Sequence, residues 1–312
     1  MTQSGYVLVG PTASGKSSVA EFIARTEGWH ILSADSMQVY QGLDVGTAKT
    51  PIGERAGIAY SGLDIVPISQ RFTAWQYRDY ALSVLREYAA KNISTIVAGS
   101  SGLYVRALTE GLNEAPDSDP AFHKQWMAYM DEHGIDDLQS ALEKAYPGLL
   151  DRVQDPQNPR RLIRAAERYE ASGKSKGEAW RPVEEQPVIT GLRWESERLR
   201  ARISKRVDQM YDSGLLKETE GLVEKGLNHS PTARQALGYQ EAMRCLDGEM
   251  TEPEARERTV TRTWQLAKRQ MTWFRHQAHV DWIDVDDAMS TDGIAEQVMH
   301  SWRKYGPAEI PG

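Results

Sequence analysis

An eight-residue segment near the start of the chain has the residue types and the spacing of a phosphate-binding loop. It fits the pattern G-x-x-x-x-G-K-[ST] and follows a short apolar run. Glycines let successive backbone N–H groups curl around phosphate oxygens, the lysine adds a point charge, and the serine offers a hydroxyl ligand for Mg²⁺. The segment therefore predicts a bound polyphosphate with magnesium, and leaves open whether that polyphosphate is a nucleotide. Its residues are Gly10, Pro11, Thr12, Ala13, Ser14, Gly15, Lys16 and Ser17.

The sequence around this loop alternates between short apolar runs and segments of helical periodicity. Strands that alternate with helices form parallel sheets through right-handed crossovers. The predicted fold class is α/β, with a P-loop NTPase-like parallel sheet core flanked by helices and a helical insertion domain. In this part of the chain we predict strands over 6–9, 30–33, 63–66 and 95–98, and helices over 17–26 and 75–91.

The pattern changes after the fourth predicted strand, where a turn-rich segment leads into charged sequence of helical period. An apolar run at 187–192 then predicts one more strand. We therefore expect a catalytic core formed by 1–115 and 187–285, interrupted by a helical insertion over 116–186. Residues 286–312 are weakly patterned and are expected to form a frayed C-terminal tail. In the second half of the core we predict helices over 196–211, 214–226, 232–247 and 252–277.

The charge balance excludes binding of nucleic acid by bulk attraction. The chain has 37 lysines and arginines against 44 acidic residues, a formal charge of −7. Two local clusters stand out from this acidic background: four arginines within 160–168, and five lysines and arginines without an acidic residue within 258–276. Each cluster is typical either of a phosphate-binding surface or of a solvated helix face, and both interpretations stay open here.

Composition also bounds the cellular context. No apolar run approaches the roughly 18 to 20 residues that cross a bilayer, and the first residues lack the pattern of a signal peptide. The single cysteine, Cys245, excludes an intrachain disulfide framework and cannot form a thiolate zinc site alone. We expect a monomeric, cytoplasmic protein without a membrane partner.

Several further motifs accompany the phosphate loop, and together they resemble those of the tRNA dimethylallyltransferases, also called tRNA isopentenyltransferases. They occur in that family's order over about residues 5–275. The resemblance is carried by GPTASGKS at 10–17, SADSMQVY at 33–40, DVGTAK at 44–49, Gly99 with Gly102-Leu103-Tyr104, Arg160-Arg161-Leu162-Ile163-Arg164-Ala165 followed by Gly173-Lys174, Leu237-Gly238-Tyr239-Gln240-Glu241, and Thr263 with Gln265-Leu266-Ala267-Lys268-Arg269-Gln270.

The resemblance implies transfer of a dimethylallyl group from dimethylallyl diphosphate to N6 of adenosine 37 of tRNA, next to the anticodon, with release of diphosphate. The phosphate loop and Mg²⁺ would hold the departing diphosphate, and Asp35 would accept the proton of the N6 amine. Lys16 and Ser101 are the other catalytic residues implied. Asp35 follows the predicted strand 30–33, at the edge where open α/β sheets bind ligands. A helix-capping role, or a water-mediated magnesium role, would also suit an aspartate there.

The same resemblance implies a surface that binds the anticodon stem-loop of tRNA. A stacked base must leave its loop before N6 can reach a buried diphosphate, so contacts to the RNA backbone must hold the loop open. We interpret the helical insertion as a clamp for that purpose, with pairing of its arginines to nearby acids as the alternative. The implied tRNA-binding residues are Asp35, Ser36, Met37, Gln38, Ser101, His123, Arg160, Arg161, Arg164, Lys268 and Arg269.

The chain departs from the family pattern at two places. Members usually have Gly-Gly-Thr before Gly-Leu-Tyr, where this chain has Gly99, Ser100 and Ser101. Ser101 keeps the hydroxyl of the threonine, whereas Ser100 would be strained if the position required φ > 0. His123 stands where an arginine is common, so a neutral imidazole there would lose the charge and keep the ability to hydrogen-bond.

Two other functions fit parts of the sequence. A small-molecule or nucleoside kinase would use the same loop and an aspartate after the second strand, and it would release ADP. A nucleotide-gated RNA-binding switch would bind tRNA without modifying it, so exchanging Asp35 for asparagine would change only affinity. A prenyltransferase differs from both because it consumes dimethylallyl diphosphate with no ATP present.

Overall fold

The computed structural model describes residues 3–55, 57–112, 119–153, 155–172 and 186–312. The chain divides into two compact units. The first combines Met1–Gly111 with Val183–Gly312, and the second is Leu112–Pro182. The second unit thus interrupts the first, and it begins and ends four residues before the 116–186 segment predicted as the insertion. In the described part of the chain no helix is both long enough and apolar enough to cross a bilayer.

The described residues form seven strands, eleven α-helices and four short 3₁₀ helices. Eight of the α-helices belong to the first unit and three, α4 to α6, belong to the second. In chain order the elements are β1 (Gln3–Val9), α1 (Lys16–Glu27), β2 (His30–Ser33), β3 (Tyr60–Ser61), α2 (Ala74–Ala90), β4 (Thr95–Gly99), α3 (Gly102–Thr109), α4 (Pro120–His133), α5 (Ile135–Ala145), α6 (Pro159–Ser172), β5 (Val188–Trp194), α7 (Ser196–Asp212), α8 (Leu215–Glu224), α9 (Tyr239–Leu246), α10 (Glu252–Gln277), β6 (His279–Val285), α11 (Thr291–Tyr305) and β7 (Ala308–Ile310).

The first unit is a mixed α/β fold with one sheet, and this confirms the predicted fold class. Six strands run parallel in the order β3-β2-β4-β1-β5-β6, and β7 pairs antiparallel with β1. Val9 on β1 lies opposite Gly99 on β4 and Gly191 on β5, while Ser33 on β2 lies opposite Ala98 on β4. The carboxyl ends of these strands therefore meet at one edge, where the phosphate loop, Asp35 and Ser100 all leave the sheet.

Apolar strands account for the core of this unit. The run at 6–9 is almost wholly buried because helices cover both faces of a parallel sheet. Helix α2 begins at a capping box, in which Thr73 and Gln76 each satisfy a backbone N–H group at the start of the helix. Tyr77 from that helix is fully buried and stacks on Tyr104 of α3, with 3.9 Å between the ring centres.

The prediction for 63–66 is wrong, because the strand in this region is β3, at Tyr60–Ser61. Gly62 has φ +87°, and a Cβ there would lie 2.5 Å from the carbonyl oxygen of Ser33, so the chain turns away from the sheet at this point. The predicted helix 232–247 is shorter for a related reason. Gly238 has φ +87° at the start of α9, outside the helical region.

The prediction of a frayed tail over 286–312 is also wrong. Helix α11 buries Ile294, Val298 and Trp302 against the core, and β7 adds a strand beside β1. The Trp302 ring lies 5.1 Å from that of Tyr6, measured between centres. This segment looked weakly patterned because its apolar residues are spread over a helix and a three-residue strand. Strand β6 was missed for a similar reason, since much of it is half-exposed at the edge of the parallel strands.

The second unit is a small helical domain with its own core. Helices α4, α5 and α6 pack around a buried cluster formed by Leu138, Leu142, Leu149, Leu162, Ile163 and Ala166. Asp119 caps α4 by accepting a hydrogen bond from the Ala121 N–H group at 2.8 Å. Gly173 and Lys174, which carry part of the family resemblance, lie outside the described residues.

Candidate active site

The phosphate loop leaves β1 at Gly10 and enters α1 at Lys16. A Cβ at Gly10 would lie 2.7 Å from the Leu192 carbonyl oxygen of β5, so β5 packs directly on the loop and requires glycine. Gly15 caps α1 with φ +91°, in the left-handed region. The first N–H groups of α1 have no acceptor within the helix and, with the positive end of the helix dipole, favour an anion at this end.

Lys16 is buried inside the loop. Its Nζ donates hydrogen bonds to the Pro11 carbonyl oxygen at 2.7 Å and to Ser14 Oγ at 3.3 Å. Burial and the charge of Arg206 lower the pKa of Lys16 to about 7, and the negative charge of Asp35 acts in the opposite direction. An anionic ligand would supply the countercharge that a buried ammonium group requires.

Two side chains hold the outer side of the loop. Trp194 Nε1 donates to the Ser14 carbonyl oxygen at 2.9 Å, and Arg202 Nε donates to the Ala13 carbonyl oxygen at 3.0 Å. The Arg202 guanidinium carbon lies 4.2 Å from the centre of the Trp194 ring, a cation–π contact that links the two side chains. With these carbonyl oxygens held on the outside, neighbouring N–H groups of the loop can face a ligand.

One amide of the loop does not behave as the motif predicts. The Thr12 N–H group donates to Gln270 Oε1 on α10 at 2.9 Å. The motif predicts that successive N–H groups of the loop surround the phosphate, whereas the Thr12 N–H group is bound by a side chain from a distant helix. Gln270 therefore fixes the position of the loop, a role that its place in the sequence did not reveal.

Asp35 lies just beyond β2, as the sequence predicts, and it is half-buried. Its Oδ1 accepts a hydrogen bond from the Met37 N–H group at 2.9 Å, and its Oδ2 accepts one from Ser100 Oγ at 3.1 Å. Its charge raises the pKa of Lys16 against the effect of burial and acts in the same direction on Arg206. The structure thus brings together one carboxylate, the buried Lys16 and the half-buried Arg206 at one edge of the sheet.

Ser100 and Ser101 occupy the exit of β4. The described residues with positive φ outside glycine are Ala13, Ala48, Asp64 and Asn92, so Ser100 does not need the conformation that would have strained it. Ser101 is the N-cap residue of α3, and its hydroxyl makes no capping bond to that helix. The Ser101 side chain is half-buried near the start of α3, which fits a role in contacting a ligand.

Arg206 is a site residue that the sequence analysis missed. It lies on α7 one helical turn after Arg202, its Nη2 donates to the Thr47 carbonyl oxygen at 3.3 Å, and burial lowers its pKa while Asp35 raises it. A spacing of four residues puts both arginines on one face of a helix, directly after a strand of the sheet. That spacing was the available signal, but the run also contains Arg198 and Arg200, which obscured it.

The segment that follows Asp35 is held internally. Ser33 Oγ donates to Gln38 Oε1 at 2.8 Å, and Gln38 Nε2 donates to the Thr47 carbonyl oxygen at 3.2 Å. Each end of the Gln38 amide therefore has one internal partner and keeps a second hydrogen-bonding position for a base edge. Ser36 and Met37 are half-buried beside it.

Helix α6 places its three predicted tRNA-binding arginines in different surroundings. Arg160 is exposed. Arg161 lies 3.5 Å from Asp155 in an exposed ion pair, and Arg164 forms an ion pair with the buried Glu167. Pairing with nearby acids, the alternative interpretation, therefore applies to Arg164 and in part to Arg161. His123 is half-buried on α4 of the same unit.

Helix α10 separates the five cations of the second basic cluster. Lys268 and Arg269 are exposed, as are Arg258 and Arg275. Arg262 instead forms an ion pair with Glu241, which is fully buried, so neither a phosphate-binding surface nor a solvated helix face describes this arginine. Trp264 and Trp273 pack against the core. The exposed cations remain suited to phosphate groups.

Ser17 is the residue predicted to bind a magnesium ion. Its side chain is exposed in the first turn of α1, beside Lys16. Within the described ranges no group of three or more histidine, cysteine, aspartate or glutamate side chains is arranged to hold a metal ion. A magnesium ion at Ser17 would therefore take most of its ligands from phosphate oxygens and water, as Mg²⁺ commonly does in proteins.

Comparison with known proteins identifies the family of the chain. A family model described as IPP transferase matches residues 38–277, which is more than half of the chain. The chain belongs to the IPP transferase family. It is a transferase, and the resemblance inferred from its motifs is confirmed. The phosphate loop and Asp35 precede the matched residues, so their assignment as site residues rests on the motif and on the geometry described above.

Individual members of the IPP transferase family match nearly the whole chain. A tRNA dimethylallyltransferase from Corynebacterium jeikeium is 36% identical over 283 residues, covering 89% of this chain and 91% of that protein. One from Pseudarthrobacter chlorophenolicus is 38% identical over 283 residues, covering 90% and 93%. The crystal structure of full-length tRNA isopentenylpyrophosphate transferase from Bacillus halodurans is 31% identical with a TM-score of 0.69, covering 97% of this chain and 98% of that chain.

Proposed function

We propose that this transferase moves the dimethylallyl group of dimethylallyl diphosphate to N6 of adenosine 37 in tRNA and releases diphosphate. The observation that carries the proposal is the placing of Asp35 beside the phosphate loop, with the buried Lys16 and the half-buried Arg206 next to it. Relatives that match nearly the whole chain are tRNA dimethylallyltransferases. A site with cations for a diphosphate and one carboxylate for a proton has the groups that this reaction needs.

In the proposed reaction carbon moves and the anion leaves. The N6 amine attacks C1 of the dimethylallyl group, the bond from C1 to the diphosphate oxygen breaks, and both electrons of that bond depart with the diphosphate. Lys16, Arg206 and the first N–H groups of α1 stabilise the charge that develops on the departing oxygens. Asp35 accepts the proton that N6 loses, which contributes about 10² to 10⁴-fold to the rate.

The proposed reaction includes a magnesium ion at Ser17. The Ser17 hydroxyl and the diphosphate oxygens would hold the ion, which would neutralise part of the charge on the leaving group. Ser101, at the N-terminus of α3, would place its hydroxyl against the substrates.

We assign tRNA binding to exposed cations on both units. Lys268 and Arg269 on α10 and Arg160 on α6 are exposed, and Arg161 is held only by a surface ion pair, which contributes little to stability. The target base must leave the anticodon loop, and Asp35 with its neighbours Ser36 to Gln38 would receive it. Contacts to the RNA backbone then position the loop, as phosphate contacts generally do.

The experiment is to incubate the purified protein with unmodified tRNA, dimethylallyl diphosphate and Mg²⁺, without ATP, and to analyse the nucleosides by mass. We expect one adenosine per acceptor tRNA to gain a single five-carbon unit, and a transcript with guanosine at position 37 to gain none. In a parallel incubation with ATP in place of dimethylallyl diphosphate, transfer of phosphate to an acceptor with release of ADP would instead identify a kinase. Unmodified tRNA together with tight tRNA binding would identify the RNA-binding switch.

A further inference from the structure

Ser100 is buried at the exit of β4, and its hydroxyl group contacts the carboxylate of Asp35. Ser100 is only 6% exposed, and its Oγ donates a hydrogen bond to Asp35 Oδ2 at 3.1 Å. The mechanism above does not use this serine. A buried hydroxyl group that donates to an ionised carboxylate forms a charge-assisted hydrogen bond, which is stronger than a neutral one.

The backbone around Ser100 explains why the contact forms. A Cβ at Gly99 would lie 2.1 Å from the Ala34 carbonyl oxygen, so the exits of β2 and β4 are in direct contact. The same oxygen accepts a hydrogen bond from the Ser101 N–H group at 3.2 Å. Ser100 lies between these two anchored positions, which fixes its backbone relative to that of Asp35.

The two hydrogen bonds of Asp35 restrict different oxygens. The Met37 N–H group holds Oδ1 alone, which would leave the carboxylate free to rotate about the bond to its Cβ. The Ser100 bond to Oδ2 removes that freedom and fixes the plane of the carboxylate. A general base that is held in one orientation loses no further freedom when it accepts a proton.

We propose that Ser100 is a positioning residue for the transfer reaction, which holds the Asp35 carboxylate in the orientation that accepts the N6 proton. This inference rests on the proposed function of Asp35. It assigns to Ser100 a role through Asp35 only, without contact to either substrate.

The first test compares Ser100→Ala with the wild-type protein. Loss of the hydroxyl lowers kcat about tenfold, as expected for one charge-assisted hydrogen bond that matters in the transition state, and leaves KM for tRNA and for dimethylallyl diphosphate unchanged. Ser301→Ala is the matched control. Ser301 is 3% exposed and donates to Asp281 Oδ2 at 2.7 Å, and β6, which carries Asp281, lies four strands across the sheet from β2. This control keeps the kcat of the wild type.

The second test asks whether Ser100 acts through Asp35. In the Asp35→Asn background the residual single-turnover rate does not fall further when Ser100→Ala is added, because the residue that it positions has already lost its function. An undiminished further loss in that background overturns the proposal. Wild-type kcat in Ser100→Ala, or a rise in KM with kcat unchanged, also overturns it. A wild-type protein that does not modify tRNA would contradict the proposed function itself, and this result is known before any Ser100 variant is measured.

Discussion

At the scale of single residues, the candidate site has more positive than negative charge. Lys16 is buried and Arg206 is half-buried near the carboxylate of Asp35, and burial lowers the pKa of each cation. Removing charged groups from water costs free energy unless they are paired or hydrogen-bonded. In the proposed reaction the diphosphate would supply the negative charge that pairs with both cations. The cations that are costly to remove from water are therefore the ones proposed to bind the diphosphate.

Asp35→Asn tests the division of labour among these residues. We expect turnover to fall by about 10² to 10⁴-fold, because asparagine cannot accept the N6 proton, while the dissociation constant for tRNA changes only a few-fold. Rapid-quench single-turnover kinetics and filter binding measure the two quantities. Asp281→Asn, on β6, provides the control and should retain normal turnover. Equal losses of turnover and of tRNA affinity in Asp35→Asn would assign Asp35 to binding instead of proton transfer.

At the scale of elements, helix α6 shows that arginines one turn apart can serve different purposes. Arg161 forms an exposed ion pair with Asp155, whereas Arg164 forms a pair with Glu167, which is only 4% exposed. An exposed pair exchanges readily with a phosphate, and a buried acid requires its partner in order to keep the helix folded. The same run of the sequence thus contains one arginine proposed to contact tRNA and one arginine paired with a buried acid.

Alanine variants of the two arginines separate these purposes. Arg161→Ala should weaken tRNA binding and reduce the slope of log K against log salt by about 1, because one phosphate contact is lost. Arg164→Ala should lower the free energy of unfolding by about 2 kcal/mol, because Glu167 is left without this partner, and leave the salt slope unchanged. Binding titrations at several salt concentrations and urea denaturation measure the two effects. An unchanged slope in Arg161→Ala would remove it from the phosphate-binding surface.

Strand β2 carries a histidine whose surroundings favour the neutral form. His30 is fully buried, its Nε2 lies 3.0 Å from Ser61 Oγ, and its ring stacks on Tyr88 with 3.6 Å between the ring centres. Burial lowers the pKa of His30 to about 4, with a smaller effect of Glu87 in the opposite direction. An imidazole that is neutral when folded and charged when unfolded makes stability depend on pH between those two pKa values.

The pH dependence of unfolding tests this histidine. Between its unfolded pKa of about 6.5 and its folded pKa of about 4, the unfolded chain binds more protons, so stability falls as the pH falls. The loss reaches up to about 3 kcal/mol near pH 4. His30→Gln should remove this component of the slope in urea denaturation series, and His279→Gln, at an exposed position, should retain it. A wild-type slope in His30→Gln would show that other groups cause the loss.

How much of the site could be predicted follows from sequence separation. The phosphate loop is a local pattern of eight residues, and Asp35 was predicted from the family resemblance and lies just after a strand, as expected. The other contacts join residues that are far apart in the sequence. Trp194 lies 180 residues after its partner Ser14, and Gln270 lies 258 residues after its partner Thr12. Only the folded sheet and its helices bring these residues, and Arg206, to the site. Ser100 and Asp35 are 65 residues apart, and their contact depends on the adjacency of β2 and β4.

At the scale of the whole first unit, the C-terminal strand supports the strand that carries the phosphate loop. Gln3 to Gly5 of β1 pair with Ala308 to Ile310 of β7, and Arg78 Nη2 donates to the Pro311 carbonyl oxygen at 2.6 Å. Ile310 is fully buried. Periodicity did not reveal β7 because three residues are too few to show an alternating pattern, although they pair with the strand that leads into the phosphate loop.

Two neighbouring positions on β7 test this support. Ile310→Ala should lower the free energy of unfolding by about 3 kcal/mol, since it removes a fully buried side chain and leaves a cavity. Glu309→Ala, at an exposed position of the same strand, should change it by no more than about 0.5 kcal/mol. Urea denaturation measures both. Equal effects of the two variants would mean that β7 does not pack as described.

Helix α10 joins two surfaces within a single turn. Lys268 and Arg269 face solvent, and the next residue, Gln270, accepts the hydrogen bond of Thr12 in the phosphate loop. A polyanion that displaces this turn would also displace the loop, so occupancy of one surface would alter the dissociation constant at the other. Thermodynamic reciprocity then makes the two changes equal in factor. The donor and the acceptor of the reaction would consequently bind with synergy or antagonism, and not independently of each other.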